Sequence, residues 1–261
     1  MIDIHSHILP GVDDGSKDME MSLDMARIYL KNGITKVIAT PHFIEKSNST
    51  SVEVNAIALE SLKKELFRHG LGLEVFLGNE VYISMGVARD IIEGKVSSLN
   101  STRYVLLELP LNDIPMYVEE VFYSLLIKGI IPIIAHPERN SVIAEDPNIL
   151  IRYINNGALA QLNLPSLDGM YGNKTKSAAM LLLKHRLVHF VSTDSHSNKG
   201  RSPNVKKALD ILKNHIDRDY YDSITCLNQE LILQNKVIPV MGNIEPLGKR
   251  GIFRGIKRFL S

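Results

Sequence analysis

The sequence predicts an α/β fold in which seven strands alternate with helices and curl into a barrel or near-barrel. Two observations carry this expectation. Seven short apolar runs are continuous rather than alternating, as in parallel strands covered on both faces. Helical repeats ending in glycine stand between them, which is the rhythm of βα units. A chain of 261 residues can bury the core of one such domain.

In chain order, the runs are 2–4, 36–39, 73–77, 104–109, 130–135, 159–162 and 187–192. After the first, Met19, Leu23, Ala26 and Leu30 recur at helical spacing and Gly33 supplies a C-terminal cap. After the second, Ala58, Leu62 and Leu66 repeat the pattern ahead of Gly70. Helical segments 118–128 and 149–156 end at Gly129 and Gly157. Segment 45–51 reads as a mobile flap, and 163–175, with Gly169 and Gly172, as a polar loop. Prolines and glycines interrupt residues 240–261. The expected division is therefore a barrel over 1–240 and a tail over 241–261.

Composition narrows the function. Apolar residues at 44% and charged residues at 23% describe a globular chain. No apolar stretch approaches the roughly 18 residues that a membrane span needs. A single cysteine, Cys226, excludes a disulfide framework and a cysteine-rich zinc module. It suits a reducing compartment. The opening MIDIHSH has no basic or apolar leader, so the expected location is cytoplasmic. Net charge is +1, too neutral for a general nucleic-acid binder. Five cations, Lys249, Arg250, Arg254, Lys257 and Arg258, lie in the tail. Without them 25 basic residues face 29 acidic ones, a net of −4 over residues 1–248.

The chemistry gathers where the runs end. His5 and His7 are two apart on the first strand, so both can face one ion. Asp13 and Asp14 follow a short loop later. His42 follows the second run, Glu80 the third, and Glu108 lies near the end of the fourth. His136 ends the fifth, and Asp194 and His196 end the seventh. A βα barrel builds its active site at the C-terminal ends of its strands. His69, His215, His185 and His189 fall elsewhere and read as surface or packing residues.

A donor set of imidazole and carboxylate without thiolate favours Mn²⁺, Mg²⁺ or Fe²⁺, with Zn²⁺ and Co²⁺ also compatible. So many ligands suit a cluster of two or three ions rather than one. Such a cluster acidifies a water and clamps the oxygens of a phosphoryl transfer. Arg139 and Arg201 follow two of these histidines and fit a phosphate as bidentate clamps. Other phosphate chemistries fail. Ile232 stands where a Cys-x5-Arg loop anchored on Cys226 would need arginine. Gly242 and Gly248-Lys249 are misspaced for a P-loop, and no Gly-x-Ser-x-Gly elbow occurs.

With these residues in place, the sequence resembles the polymerase and histidinol phosphatase (PHP) superfamily. It is most similar to the manganese-dependent protein-tyrosine phosphatases of bacterial capsular and exopolysaccharide operons. The match rests on Asp3-Ile4-His5-Ser6-His7-Ile8-Leu9-Pro10, Asp13-Asp14-Gly15, Thr40-Pro41-His42, Gly78-Asn79-Glu80, His136-Pro137-Glu138-Arg139 and Asp194-Ser195-His196. It covers about residues 1–235.

The resemblance implies a distorted (β/α)7, TIM-like barrel of PHP type with a trinuclear site. His5, His7, Glu80 and Asp194 would bind one metal. Glu80 would share a second with Glu108 and His136, and Asp14, His42 and His196 would bind a third. Arg139 and Arg201 would hold the phosphate. A metal-activated hydroxide would attack phosphorus in line, and the phenolate would leave. The implied substrate is a phosphotyrosine protein, a membrane-associated bacterial tyrosine kinase that regulates capsule or exopolysaccharide synthesis. Asn163-Leu164-Pro165 departs from the smaller hydroxyl residues expected after the sixth strand. The enzyme rival is a histidinol-phosphate or other small phosphomonoester phosphatase; the non-enzyme rival is a metal-binding regulatory module. The complete ligand set argues against the module. In the tail, Ile252, Phe253, Ile256, Phe259 and Leu260 interleave with the cations, which reads as an amphipathic basic segment for peripheral contact with a membrane or with the kinase.

Overall fold

The structure is a computed structural model that describes residues 1–47, 50–239 and 242–248. The amphipathic part of the expected tail, 249–261, lies outside the described residues. The strands are β1 (Ile2–Ser6), β2 (Lys36–Ala39), β3 (His42–Phe43), β4 (Glu74–Leu77), β5 (Glu80–Tyr82), β6 (Tyr104–Glu108), β7 (Ile131–Ala135), β8 (Leu159–Asn163) and β9 (Phe190–Ser192). The helices are α1 (Met19–Lys31), α2 (Val52–Arg68), α3 (Val87–Ile92), α4 (Val118–Leu126), α5 (Ser141–Glu145), α6 (Asn148–Asn155), α7 (Leu164–Asp168), α8 (Asn173–Lys184), α9 (Lys206–His215), α10 (Arg218–Asp222) and α11 (Asn228–Leu233).

All pairings between these strands are parallel. They run β1-β2-β4 and β3-β5-β6-β7-β8-β9. β2 and β3 are one stave broken at Thr40-Pro41, and β4 and β5 one stave broken at Gly78-Asn79. Proline cannot donate to a ladder, which accounts for the first break. At the second, a side chain on Gly78 would put its Cβ 2.7 Å from Leu99 Cδ2. Nine segments thus form the seven expected staves. Past β9 the ring returns to β1 through one Ser6–Ser195 bridge. There Asp194 N donates to His5 O and His7 N to Ser195 O, both at 2.9 Å.

Alternate strand residues divide between two cores. Ile4, Ile38, Leu106, Ile133 and Phe190 fill the barrel interior, which Ile232 and Ile238 also enter. Val37, Val105, Leu107, Ile134, Ala160 and Val191 face the helices. Both faces are apolar, which is why the runs are continuous in sequence. β1 breaks this alternation. Its register slips between Asp3 and Ser6, so Ile4 lies inside and His5 is also turned to the interior.

A buried polar knot holds the β1–β9 seam. The Tyr29 hydroxyl of α1 meets Asp3 Oδ2 at 3.0 Å, Ser6 Oγ at 2.7 Å, Thr193 Oγ1 at 3.0 Å and Ser195 Oγ at 2.5 Å. Thr193 also donates to Asp3 through its backbone and hydroxyl. Asp3 is fully buried, and burial raises its pKa. Gly33, at φ +73°, ends α1 in the left-handed conformation that its cap position requires. The segment expected as a loop over 163–175 instead contains α7 and the start of α8. Residues 242–248 lie along α6. Leu247 and Ile244 each exchange paired backbone–amide hydrogen bonds with Asn148 and Asn155.

Candidate active site

The C-terminal ends of the staves bring together all nine predicted ligands. His5, His7, Glu80 and Asp194 form one group of converging donor atoms; His7, Asp14, His42 and His196 form a second; His42, Glu80 and Glu108 form a third. Within each, one ligand atom per residue lies within 4.8 Å of the others. His136 joins the third group's carboxylates, with Nε2 3.0 Å from Glu80 Oε1 and 3.6 Å from Glu108 Oε1. Glu80 is central. Its Oε2 is 3.1 Å from His5 Nε2, 3.2 Å from His7 Nε2 and 3.2 Å from His42 Nδ1. His69, His185, His189 and His215 lie outside the cluster, as expected.

Local backbone geometry aims these side chains. Glu80 opens β5 rather than ending a strand, because the break at Gly78-Asn79 restarts the stave there. His136 and Asp194, just past β7 and β9, take left-handed φ values of 32° and 50°. Each such non-glycine residue costs about 1–3 kcal/mol, and His136 also precedes Pro137. The surrounding fold must impose both.

Further residues orient the ligands, among them Asp13, which the sequence places with the candidate donors. Asp13 Oδ2 accepts from His7 Nδ1 at 2.6 Å and from His42 N at 3.2 Å, while its Oδ1 accepts from Gly15 N at 2.9 Å. On β8, Gln161 Oε1 lies 2.9 Å from His5 Nδ1, and Gln161 Nε2 donates to Asn163 Oδ1 at 2.9 Å. Asn163 Nδ2 then donates to Asp194 Oδ2 at 2.6 Å. These partners put hydrogen on Nδ1 of His5 and His7 and leave Nε2 free toward the cluster. Asn163, the departure noted in the sequence, is thus the last member of a relay between two ligands. Glu138 is buried and accepts from Asn163 N at 3.0 Å and Ser166 Oγ at 2.7 Å, pinning the start of α7.

The arginines sit on the opposite edge of Asp194. Arg139 Nη1 and Arg201 Nη2 approach its Oδ2 at 3.1 and 2.7 Å. Its Oδ1 faces His5 Nε2 at 3.4 Å and His7 Nε2 at 3.6 Å. Beside the cluster, a cavity of about 690 Å³ opens between α1 and the loop after β9, lined by Asp14, Lys17, His196, Lys199 and Arg201.

Electrostatics test whether cations fit. Burial opposes charge on His7, yet hydrogen bonds to Asp13 and Glu80 lift its pKa to about 10. His5 and His42 are raised likewise: carboxylates outweigh burial. His196 is pushed to about 3 by burial and the neighbouring His7. Glu80 is held well below the carboxylate range despite burial, by His5, His136 and His7. Burial and the Glu80 charge raise Glu108. Without metal, the carboxylates therefore hold protons on adjacent imidazoles; a divalent cation satisfies the same oxygens and frees the nitrogens to bind it. Mixed imidazole and carboxylate donors around Glu80 fit such ions.

Known proteins match this arrangement. The family described as capsular polysaccharide synthesis, CpsB/CapC, matches residues 1–234. The tyrosine-protein phosphatase YwqE of Bacillus subtilis is 39% identical over 241 residues, covering 91% of this chain and 93% of that protein. Among solved structures, a chain from the crystal structures of Bacillus subtilis YwqE and Streptococcus pneumoniae CpsB, described as unique metal-dependent tyrosine phosphatases, superposes with a TM-score of 0.89. It has 37% identity and covers 95% of this chain and 100% of that one. A histidinol phosphate phosphatase from Lactococcus lactis shares the fold at a TM-score of 0.54 and 13% identity, over 82% and 93% of the two chains. The chain is therefore a member of the CpsB/CapC family of capsular polysaccharide synthesis proteins.

Proposed function

We propose that this chain is a metal-dependent protein-tyrosine phosphatase. One observation carries the reading: three cation-capable donor groups are linked pairwise through His7, Glu80 and His42, and two arginines meet them at Asp194. The similarity to YwqE supports the choice of phosphotyrosine. His5, His7, Glu80 and Asp194 would hold one ion. Glu80, Glu108 and His136, with His42 adjacent, would hold a second; Asp14, His42 and His196 would hold a third. When bound, divalent cations, with Mn²⁺ as the proposed native ion, supply Lewis-acid polarisation and a water acidified enough to attack near neutral pH.

The chain's own residues perform the rest. Arg139 and Arg201 draw the phosphoryl group against the cluster and stabilise the charge that grows on its equatorial oxygens. Asp13 and Gln161 hold the His7 and His5 tautomers fixed, and Asn163 orients Gln161 and Asp194. The leaving phenolate, with a pKa near 10, departs with less proton assistance than an alkoxide needs. The proposed substrate is the phosphotyrosine of a membrane-associated kinase that regulates capsule or exopolysaccharide synthesis. The proposed location is the cytoplasm, which suits a chain with one free cysteine and no described helix long and apolar enough to cross a membrane.

The test is hydrolysis of a phosphotyrosine peptide, histidinol phosphate and a serine-phosphate peptide after chelation and return of each metal. Activity should vanish on chelation and return best with Mn²⁺ on the phosphotyrosine peptide. Cys226→Ser should remain active. Preference for histidinol phosphate would overturn the substrate assignment, and loss of activity in Cys226→Ser would overturn the mechanism.

A further inference from the structure

Tyr171 has no role in the reading above, yet it stands beside both arginines. It lies in the turn Gly169-Met170-Tyr171-Gly172 between α7 and α8. Both glycines are left-handed, at φ +92° and +90°, a conformation that admits few other residues. Hydrogen bonds from Met170 N to Pro165 O and from Gly172 N to Gly169 O close the turn. Glu138 anchors α7 through Asn163 N and Ser166 Oγ, so the turn is tied to the peptide segment that carries Arg139.

The Arg139 guanidinium carbon sits 4.5 Å from the Tyr171 ring centroid. That is well inside the roughly 6 Å reach of a cation–π contact. The ring face lies against the guanidinium whose Nη1 points to Asp194. The Tyr171 hydroxyl is shut off from solvent; Arg201 approaches its oxygen, but the hydroxyl proton finds no acceptor in good geometry, and Arg201 Nε also lacks a partner. Asp194, Arg201 and Arg139 are the charged groups around that hydroxyl. A buried hydroxyl proton without an acceptor carries a desolvation cost that an incoming ligand can relieve. Two unsatisfied donors in one cationic corner match the lone pairs of a tetrahedral oxyanion.

We propose that Tyr171 is part of the phosphate subsite: its ring is the platform that orients Arg139, and its hydroxyl donates a hydrogen bond to a phosphoryl oxygen held between Arg139 and Arg201. This rests on the phosphatase reading for its substrate, but the anion subsite can be measured without turnover.

The experiment uses full-length, Mn²⁺-loaded protein. Tyr171→Phe keeps the ring and removes the hydroxyl; Tyr171→Leu removes both. Binding of inorganic phosphate by calorimetry and steady-state kinetics on a phosphotyrosine peptide are compared at equal metal content and melting temperature. Tyr171→Phe should weaken phosphate binding and lower kcat/KM by about tenfold, the scale of one hydrogen bond to a charged oxygen. Tyr171→Leu should lose more. Its additional loss should largely disappear in an Arg139→Ala background, because the platform then has nothing to orient. Wild-type phosphate binding by Tyr171→Phe would overturn the hydroxyl role. Additive effects of Tyr171→Leu and Arg139→Ala would overturn the platform role. If phosphate binding follows Tyr171 as described while no phosphotyrosine peptide is hydrolysed, the subsite stands and the substrate assignment fails.

Discussion

Replacing Asp13 with asparagine tests the site where one carboxylate controls one shared ligand. Asp13 accepts three hydrogen bonds, from His7 Nδ1, His42 N and Gly15 N, at 2.6, 3.2 and 2.9 Å. Asparagine keeps the shape but offers one oxygen and one amide. If the oxygen faces His7 and His42, the amide confronts Gly15 N, donor against donor. If the amide is flipped, it confronts His7 Nδ1 and favours hydrogen on Nε2, the nitrogen meant for the cation. Either orientation loses a hydrogen bond to a charged acceptor, about 1.5–3 kcal/mol. That converts to roughly 10–100-fold in metal affinity, the usual effect of removing a partner behind a ligating histidine.

Because His7 belongs to two donor groups, both ions should weaken. A second effect opposes the first. Asp13 also helps hold the His7 pKa near 10 against burial, so its removal lowers proton competition at His7. That relief matters most at low pH. The deficit in metal affinity should therefore widen as pH rises from 6 to 8. Calorimetric Mn²⁺ titration of the chelated protein at both values, with elemental analysis, measures it. Equal binding by wild type and variant, or a deficit that shrinks with rising pH, would refute the reasoning.

Three other outcomes follow from particular contacts. Gly15→Ala would place a Cβ 2.3 Å from both His7 Cβ and His7 O, neither of which is a flexible terminus; overpacking of about 1–3 kcal/mol should lower the melting temperature and metal content together. Gln161→Leu should leave His5 Nδ1 and Asn163 Oδ1 without partners, costing about 1–3 kcal/mol each and reducing metal content more than Asn163→Ser does. His189 accepts from Ala160 N and is held at a pKa of about 4 by burial. The unfolded chain takes up this proton near pH 6.5, so stability falls as pH drops from about 6.5 to 4, by about 3 kcal/mol. His189→Asn should flatten that part of a denaturation-versus-pH curve, and an unchanged curve would count against the assignment.

The ligands were legible because barrel chemistry sits where strands end, and strand ends can be found from apolar runs. His136 and His196 needed only that rule. Gln161 and Tyr171 did not show themselves, since their roles depend on pairing between segments far apart in the chain. Gln161 matters because β8 sets it against His5 of β1 across 156 positions. Gly169 and Gly172 mark a loop in the sequence, whereas they are the C-cap of α7 and the N-cap of α8. The splitting of two staves at Pro41 and Gly78 was equally hidden, because apolar content continues across neither break.

Asp194 has one oxygen toward the histidines and the other toward Arg139, Arg201 and Asn163. The two edges compete for the electrons of one carboxylate. An anion that draws the guanidiniums away from Oδ2 returns charge to Oδ1 and strengthens its hold on a cation. Thermodynamic linkage makes this reciprocal, so the cation strengthens anion binding by the same factor. Inorganic phosphate, the product, should then slow the stripping of metal by a chelator, and the metal supply should in turn govern how severely product inhibits the enzyme.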